Sequence, residues 1–299
     1  MTSRMSDQEY LLRDQYKDVT KLRARVQLHE RFSTNKYGWM PWVFDQLDFP
    51  PEGLILELGC GAGALWAENI RRVPDGWEVV LSDLSPGMLE DARRTLGAFR
   101  RRFEFMVVDI QAVPFRDSSF DGVIANHMLY HVPDIAQALS EVRRVLKPGG
   151  RFYAATNGRQ HLGELRRLVR GFDSSIAFGL DEYSLSLENG VLQLAEWFEE
   201  TELRRYEDSL DVTEADPLVA YILSSIGDAQ DVLVGERLLE LSELIRRELV
   251  THGTIHITKD VGLFEALSGA GSDIPAQSVR AASQDSRGRA LAGKIVQEE

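Results

Sequence analysis

Residues 54–63, Leu54-Ile55-Leu56-Glu57-Leu58-Gly59-Cys60-Gly61-Ala62-Gly63, decide how the rest of the chain is read. An apolar run of strand length enters three glycines at alternate positions, and a helix is predicted to follow through Leu65 to Ile70. Glycine permits a sharp turn and a close backbone approach to a ligand, because no Cβ stands in the way. The start of the helix adds N–H groups that have no intrahelical partner. A G-x-G alone is common in tight turns, so the flanking residues must supply the specificity. The spacing here is G-x-G-x-G, not the G-x-G-x-x-G of pyrophosphate-binding loops. Glu57 stands two positions before the first glycine. Asp83 follows Gly63 by twenty residues, at the end of the next apolar strand, where a carboxylate can take two ribose hydroxyls. Asp109 ends the third predicted strand. Taken singly, either Asp reads equally well as a turn or helix cap. Together, three acids at the edge where open α/β sheets bind ligands point to a site.

Outward from this loop, short apolar runs alternate with amphipathic stretches over 54–157, the pattern of βα units and a parallel sheet. Strands are predicted at Leu54–Leu58, Glu78–Ser82, Phe103–Val108, Phe120–Ala125 and Arg151–Ala155. Helices are predicted at Met88–Phe99 and Ile135–Leu146; Lys147-Pro148-Gly149-Gly150 stops the second and starts the strand that follows. Val232–Leu249 carries apolar residues on one helical face, and β-like runs near Leu203–Val212 and Thr254–Leu267 complete the sheet edge. The expected organisation is an N-terminal helical lid over 1–49, a cofactor-binding core over 50–157, and a substrate cap with the remaining strands over 158–267. A polar tail over 268–299 is expected to be poorly ordered.

The bulk composition narrows the function. A chain of 299 residues with 43% hydrophobic residues buries a substantial core. No stretch approaches the roughly 18 uninterrupted apolar residues of a membrane span, and the polar N-terminus lacks a signal-peptide h-region. A cytoplasmic location is therefore expected. The net charge of −13 disfavours a nucleic-acid partner, which needs basic surface. Cys60 is the single cysteine, which rules out an internal disulfide and a cysteine-rich metal site. No metal is expected.

Five segments in order resemble the class I S-adenosylmethionine-dependent methyltransferases, above all the group containing the ubiquinone and menaquinone methyltransferases. They are Glu57–Gly63, Leu81–Leu89, Val108–Phe115, Phe120–Ile124 and Glu141–Gly150. The resemblance covers about residues 50 to 157. It implies an α/β, doubly wound, mostly parallel seven-stranded sheet (the Rossmann-like methyltransferase fold) with a helical cap. It also implies S-adenosyl-L-methionine as cofactor and a small-molecule acceptor. Under it, Gly59, Gly61 and Gly63 pack beneath the methionine moiety and Glu57 lies near its amino group. Asp83 holds the ribose hydroxyls, Leu84 and Met88 border the adenine, and Asp109 with the Ile110 backbone meets the adenine amino group. Asn126 lines the floor near the sulfonium. The family often has two histidines after the fourth strand, whereas this chain has Tyr130-His131 there. Neither terminal region matches a substrate-defining pattern, so the acceptor and the methylated atom, O, N or C, stay open. So does the oligomeric state, a homodimer among the options.

Methyl transfer needs alignment of two reactants and exclusion of water, an effect worth up to about 7–11 kcal/mol. A base is needed only where the acceptor loses a proton. His127, Tyr130 and His131 are the catalytic candidates, with His161 a further position; each histidine also reads as a ring bonded to loop backbone. His252 and His256 share a face of a predicted strand without neighbours for a metal. Cys60, between glycines, reads as packing. Tyr10, Tyr16, Tyr37, Trp39 and Trp42 pack the first helices, and at least one of Tyr16, Tyr37, Trp39 and Trp42 is expected to reach the pocket as part of a lid. A non-catalytic S-adenosylmethionine-binding protein is the alternative reading. A dinucleotide-dependent oxidoreductase would share the strand–glycine–helix turn and the acid after it; the glycine spacing and Asp109 count against that.

Overall fold

A computed structural model describes residues 20–176, 178, 183–225 and 232–269. In chain order the elements are α1 (Thr20–Phe32), α2 (Trp39–Gln46), β1 (Leu54–Leu58), α3 (Ala64–Asn69), β2 (Glu78–Asp83) and α4 (Pro86–Leu96). A 3-10 turn, Gly97–Arg102, then leads to β3 (Phe103–Val107) and β4 (Phe120–Asn126). After a second short 3-10 turn, Leu129–His131, come α5 (Ile135–Val145), β5 (Leu146–Asn157), α6 (Gly163–Phe172) and α7 (Gly190–Leu194). The chain closes with β6 (Glu200–Val212), α8 (Ala215–Ser225), α9 (Gly235–His252) and β7 (Ile255–Leu267). Seven strands form one sheet in the order β3-β2-β1-β4-β5-β7-β6, with only β7 antiparallel to its neighbours. Among the described residues no helix is long and apolar enough to cross a membrane.

Alternation along the strands sets the two faces. Leu56, Leu58, Val123, Ala125, Phe152 and Ala154 point to one side, where Ala138, Leu139 and Val142 of α5 cover them. Ile55, Ile124, Tyr153 and Ala155 point to the other, against Val43 and Phe44 of α2, Trp66 of α3 and Leu89 and Ala92 of α4. Both faces are thus buried, as a parallel sheet requires. Caps fix the helix starts: the Ser85 hydroxyl accepts from the Met88 N–H at 3.2 Å, and Asp134 accepts from the Gln137 N–H at 3.0 Å, each worth about 1 kcal/mol.

Several boundaries moved, each for a local reason. α4 begins at Pro86, a favoured first helical residue, and stops at Gly97, whose φ of 55° leaves the helical region. Lys147–Gly150 follows the end of α5 and opens a strand as expected, but β5 begins before Arg151: Leu146 pairs with Phe120, and the register shifts before Gly122 meets Arg151. Gly149, at φ 75°, lets the strand bend there. His252 is not on a strand but is the last residue of α9, terminated by Gly253 at φ 76°. His256 alone is on β7, on the surface beside Asp211 at 2.8 Å.

β6 and β7 are 13 residues each and outrun the sheet. Their ladder extends from Glu200–Leu267 to Val212–Ile255, whereas β5 leaves β7 at the Asn157–Val261 pair. The overhanging end gives Leu210, Val212 and Ile257 to a third apolar cluster with Leu28 of α1, Leu165 of α6, Leu218 and Ile222 of α8, and Leu241 of α9. A helical cap is thus built on one end of a hairpin that is also the sheet edge.

Candidate active site

The cleft lies where the β1 and β4 strand ends meet the overhanging hairpin. It is a cavity of about 800 Å³, within the range of small-molecule sites, roughly 300–1,000 Å³. Gly59 and Gly61 have φ of 72° and 54°, the left-handed region that favours glycine. A Cβ on Gly59 would lie 2.7 Å from the Met128 side chain, so the loop fits only without one. A Cβ on Gly61 would meet nothing within 4 Å: this stretch of backbone faces the cavity bare. Gly63 does not line the cavity. It starts α3 at φ 75°, beneath Ala92, and is a packing and capping residue.

Glu57 shares a strand face with Ile55, which turns it toward α3. There the Trp66 indole N–H donates to its carboxylate at 2.6 Å. Burial pushes the Glu57 carboxyl up to about 7, against the pull of that hydrogen bond and with the help of the Asp83 charge. Asp83 accepts from the Gly61 N–H at 2.9 Å and the Ser85 N–H at 2.8 Å. Burial raises its carboxyl too, partly offset by these backbone donors. Asp109 lies two residues beyond the end of β3 rather than on it, and accepts from the Gln111 N–H at 2.9 Å. Both aspartates therefore order turns and also line the cavity, so the two readings of each Asp hold together. Leu84, Met88 and Ile110 complete this wall. The Cys60 thiol is pushed up by burial and by Glu57 and Asp83, which leaves it a packing group rather than a nucleophile.

Across the cavity stand Asn126, His127, Tyr130 and His131. His127 adopts φ 57° as β4 ends, a conformation that turns its ring out of the sheet. It packs against Trp39, ring centroids 4.9 Å apart and planes tilted by 45°. Tyr130 and His131 follow on the 3-10 turn, their rings edge-to-face at 4.5 Å. Burial and Lys259 hold the His127 imidazole down to about 4, neutral at physiological pH. Trp39 reaches the cavity from α2 and donates its indole N–H to Asn126 at 3.2 Å. Trp42 packs behind it on Tyr206. Tyr37 is exposed and bonded to Asp45. Tyr10 and Tyr16 lie outside the described residues.

Several polar groups lining the cavity carry no motif. Arg25 and His29 share one face of α1 at i, i+4, Ser33 follows just past its end, and all three line the cavity. Asp208 and Lys259 are direct partners on β6 and β7 and form an ion pair with side chains 1% and 9% exposed. Burial alone would push the Asp208 carboxyl up, but Lys259, the Asn35 N–H at 3.0 Å and the Ser33 hydroxyl at 2.9 Å hold it below the usual range. His161 follows β5, buried. A polar stripe on α1 and one charge on each of two long strands would have been the signal, but such residues ordinarily read as a solvated face.

Residues 56–154 match the methyltransferase domain family. The chain is 38% identical over 120 residues to a demethylmenaquinone methyltransferase of Symbiobacterium thermophilum, spanning 38% of this chain and 47% of that protein. It is 30% identical over 216 residues to the biotin biosynthesis bifunctional protein BioHC of Cellvibrio japonicus, spanning 69% of this chain and 42% of that one. It thus spans less than half the length of these curated relatives. In structure it is similar to phosphoethanolamine N-methyltransferase 2 of Haemonchus contortus, with a TM-score of 0.55 over 88% of this chain and 60% of the other. At 20% identity that likeness is one of fold.

Proposed function

We propose, from the premise that residues 56–154 are a class I S-adenosylmethionine-dependent methyltransferase domain, that this protein transfers a methyl group from S-adenosyl-L-methionine to a small molecule. One observation carries the reading: a bare, left-handed Gly59–Gly61 backbone opens onto a cavity rimmed by Glu57, Asp83 and Asp109. That site fits the cofactor's chemistry, because the buried Glu57 and the half-buried Asp83 and Asp109 favour a cation and hydroxyl donors, and the absent side chains leave room for an extended ligand. When bound, the cofactor supplies an electrophilic methyl on a positively charged sulfur.

The chain's own residues do the rest. Glu57 would receive the cofactor's ammonium, Asp83 its ribose hydroxyls, and Asp109 with the Ile110 backbone its adenine amino group. Leu84 and Met88 flank the ring. Trp39 and Asn126, joined by their hydrogen bond, close the cleft over the reacting end and keep water out. His127 would take a proton where the acceptor carries one, with Tyr130 and His131 behind it. Residues 50–157 would thus hold the cofactor, with the flanking segments shaping the acceptor space.

Incubating the purified chain with S-adenosyl-L-methionine and pools of phenols, quinols, amines and carboxylic acids tests this, read as acceptor-dependent S-adenosylhomocysteine. His127→Ala is expected to slow turnover by about 10²–10⁴-fold while leaving cofactor binding intact. Cofactor binding with no transfer to any pool would leave the non-catalytic binder as the better account.

A further inference from the structure

The cavity runs well past the strand ends that carry the carboxylates. The sheet order puts β1, β2 and β3 under one end and β5, β7 and β6 under the other. The far end is walled by α1, α8 and the overhanging hairpin, and its chemistry is inverted. Where the near end presents Glu57, Asp83 and Asp109, the far end presents Arg25, His29, His161 and Lys259, with His127 at the boundary. Its inner carboxylate, Asp208, is occupied by Lys259, Ser33 and Asn35. Toward the mouth Glu30 and Glu68, close enough to repel each other, and Lys36 add two negative charges and one positive. So a protein of net charge −13 places basic groups and three imidazoles in one internal chamber.

These imidazoles are costly as structural parts. Among the described residues the Nδ1 atoms of His29 and His161 are enclosed without a hydrogen-bond partner, and an unsatisfied buried polar atom costs about 1–3 kcal/mol. The His29 ring meets the edge of the Tyr221 ring, at 5.8 Å between centroids. His127 meets the rings of Trp39 and Tyr130. Apolar side chains would fill the same space more stably, so the polarity calls for a ligand.

We infer that the far end is the acceptor subsite and that it takes an acidic acceptor, a carboxylic acid or an ionised phenol or enol, bound as its anion among His29, His161 and Lys259. The assignment of this end to the acceptor rests on the reading of the near end as the cofactor site. His29 is faced by Lys259, Asp208, His127, Arg25 and Tyr221; His161 is faced by His29, His127, Lys259 and Arg166. Burial first, then Lys259, presses the His29 imidazole down to about 3; burial and the same positive neighbours press His161 down as well. An entering anion works against that pressure, raises the imidazoles and draws protons into the chamber. Affinity for the acceptor anion therefore falls as pH rises. A cation binding against Glu57 does the reverse, releasing a proton and tightening with pH.

Calorimetric titration of the full chain, with and without S-adenosylhomocysteine, separates the two ends. The probes are phenylacetate, its neutral isostere phenylacetamide, 4-nitrophenol, nitrobenzene and benzylamine, in two buffers of different ionisation heat near neutral pH. An acid is expected to bind at least about tenfold more tightly than its neutral counterpart, the difference one charge-assisted hydrogen bond makes, with net proton uptake. Preference for phenylacetate identifies a carboxylate acceptor, and preference for 4-nitrophenol a phenolic one. His29→Gln and His161→Gln should each weaken the acid about tenfold and leave S-adenosylhomocysteine affinity unchanged. Equal or tighter binding of phenylacetamide and nitrobenzene, preference for benzylamine, or no binding of either acid at millimolar concentration overturns the inference. Failure of S-adenosylhomocysteine to bind while acids are still preferred sinks the cofactor reading and leaves the anion site standing.

Discussion

Replacing Glu57 with Gln should have two effects of opposite sign. The carboxylate is 2% exposed, and burial raises it from 4.5 to about 7. A carboxyl whose folded value lies above its unfolded one lends full stability below about pH 4.5, and that contribution is lost as pH rises through about 7. At about pH 8 the ligand-free protein therefore holds an ionised Glu57 at a cost of about 3 kcal/mol, at roughly 1.4 kcal/mol per tenfold change in protonation. The amide of Gln carries no charge and its oxygen still accepts from Trp66, so Glu57→Gln should stabilise the ligand-free protein by up to about 3 kcal/mol at that pH. Loss of a hydrogen bond to the cofactor's ammonium works the other way, by about 1.5–3 kcal/mol, or about 10–100-fold in affinity. Urea unfolding reads the first effect, and calorimetric titration with S-adenosylhomocysteine reads the second. The wild-type titration should also release protons near neutral pH, and the variant's should not. A variant that binds as tightly as the parent, or a parent that exchanges no proton, would refute the assignment of Glu57 to the ammonium.

Gly61→Ala meets no neighbour, so its folding cost is that of a left-handed alanine, about 1–2 kcal/mol. Its methyl enters the cofactor space, and binding should weaken more than stability does; retained affinity would show that the loop does not face the ligand. Lys259→Met strands the buried Asp208 and should cost about 3–5 kcal/mol, largely recovered in Asp208→Asn/Lys259→Met. Denaturant melts within about 1 kcal/mol of the parent for the single variant would contradict the pairing. His29 and His127, held down to about 3 and 4 in the folded chain, stay neutral while the unfolded chain takes up protons. Stability should accordingly fall as pH drops from about 6.5 toward 4, with Glu57 offsetting only part of the loss. A flat profile over that window in urea melts would argue against neutral imidazoles in the chamber.

The sheet was legible because period-two burial, glycine turns and strand-end acids are local patterns. The β1 boundaries, Leu54–Leu58, coincide with the sequence reading, and the late runs near Leu203 and Thr254 became the last two strands, β6 at the sheet edge and β7 beside it. Where the reading slipped, tertiary pairing had overridden local chemistry. The fifth strand reads as starting at Arg151, past Pro148-Gly149-Gly150, yet Leu146 already pairs with Phe120 and carries the strand through the bend. His252 sits three residues before β7, but the last turn of α9 claims it. The carboxylate rim could be read because each acid follows an apolar run. The acceptor chamber could not, because His29, Asp208 and Lys259 are brought together by a helix packing across the overhang of a hairpin, a relation with no sequence spacing.

The central claim is that the Gly59–Gly61 backbone and the three acids grip one ligand. A crystal structure grown with S-adenosylhomocysteine tests it most directly. The account requires the ligand to run along that backbone, its ribose hydroxyls on Asp83 and its amino acid end toward Glu57. Ligand density elsewhere, or a ribose turned away from Asp83, would contradict it.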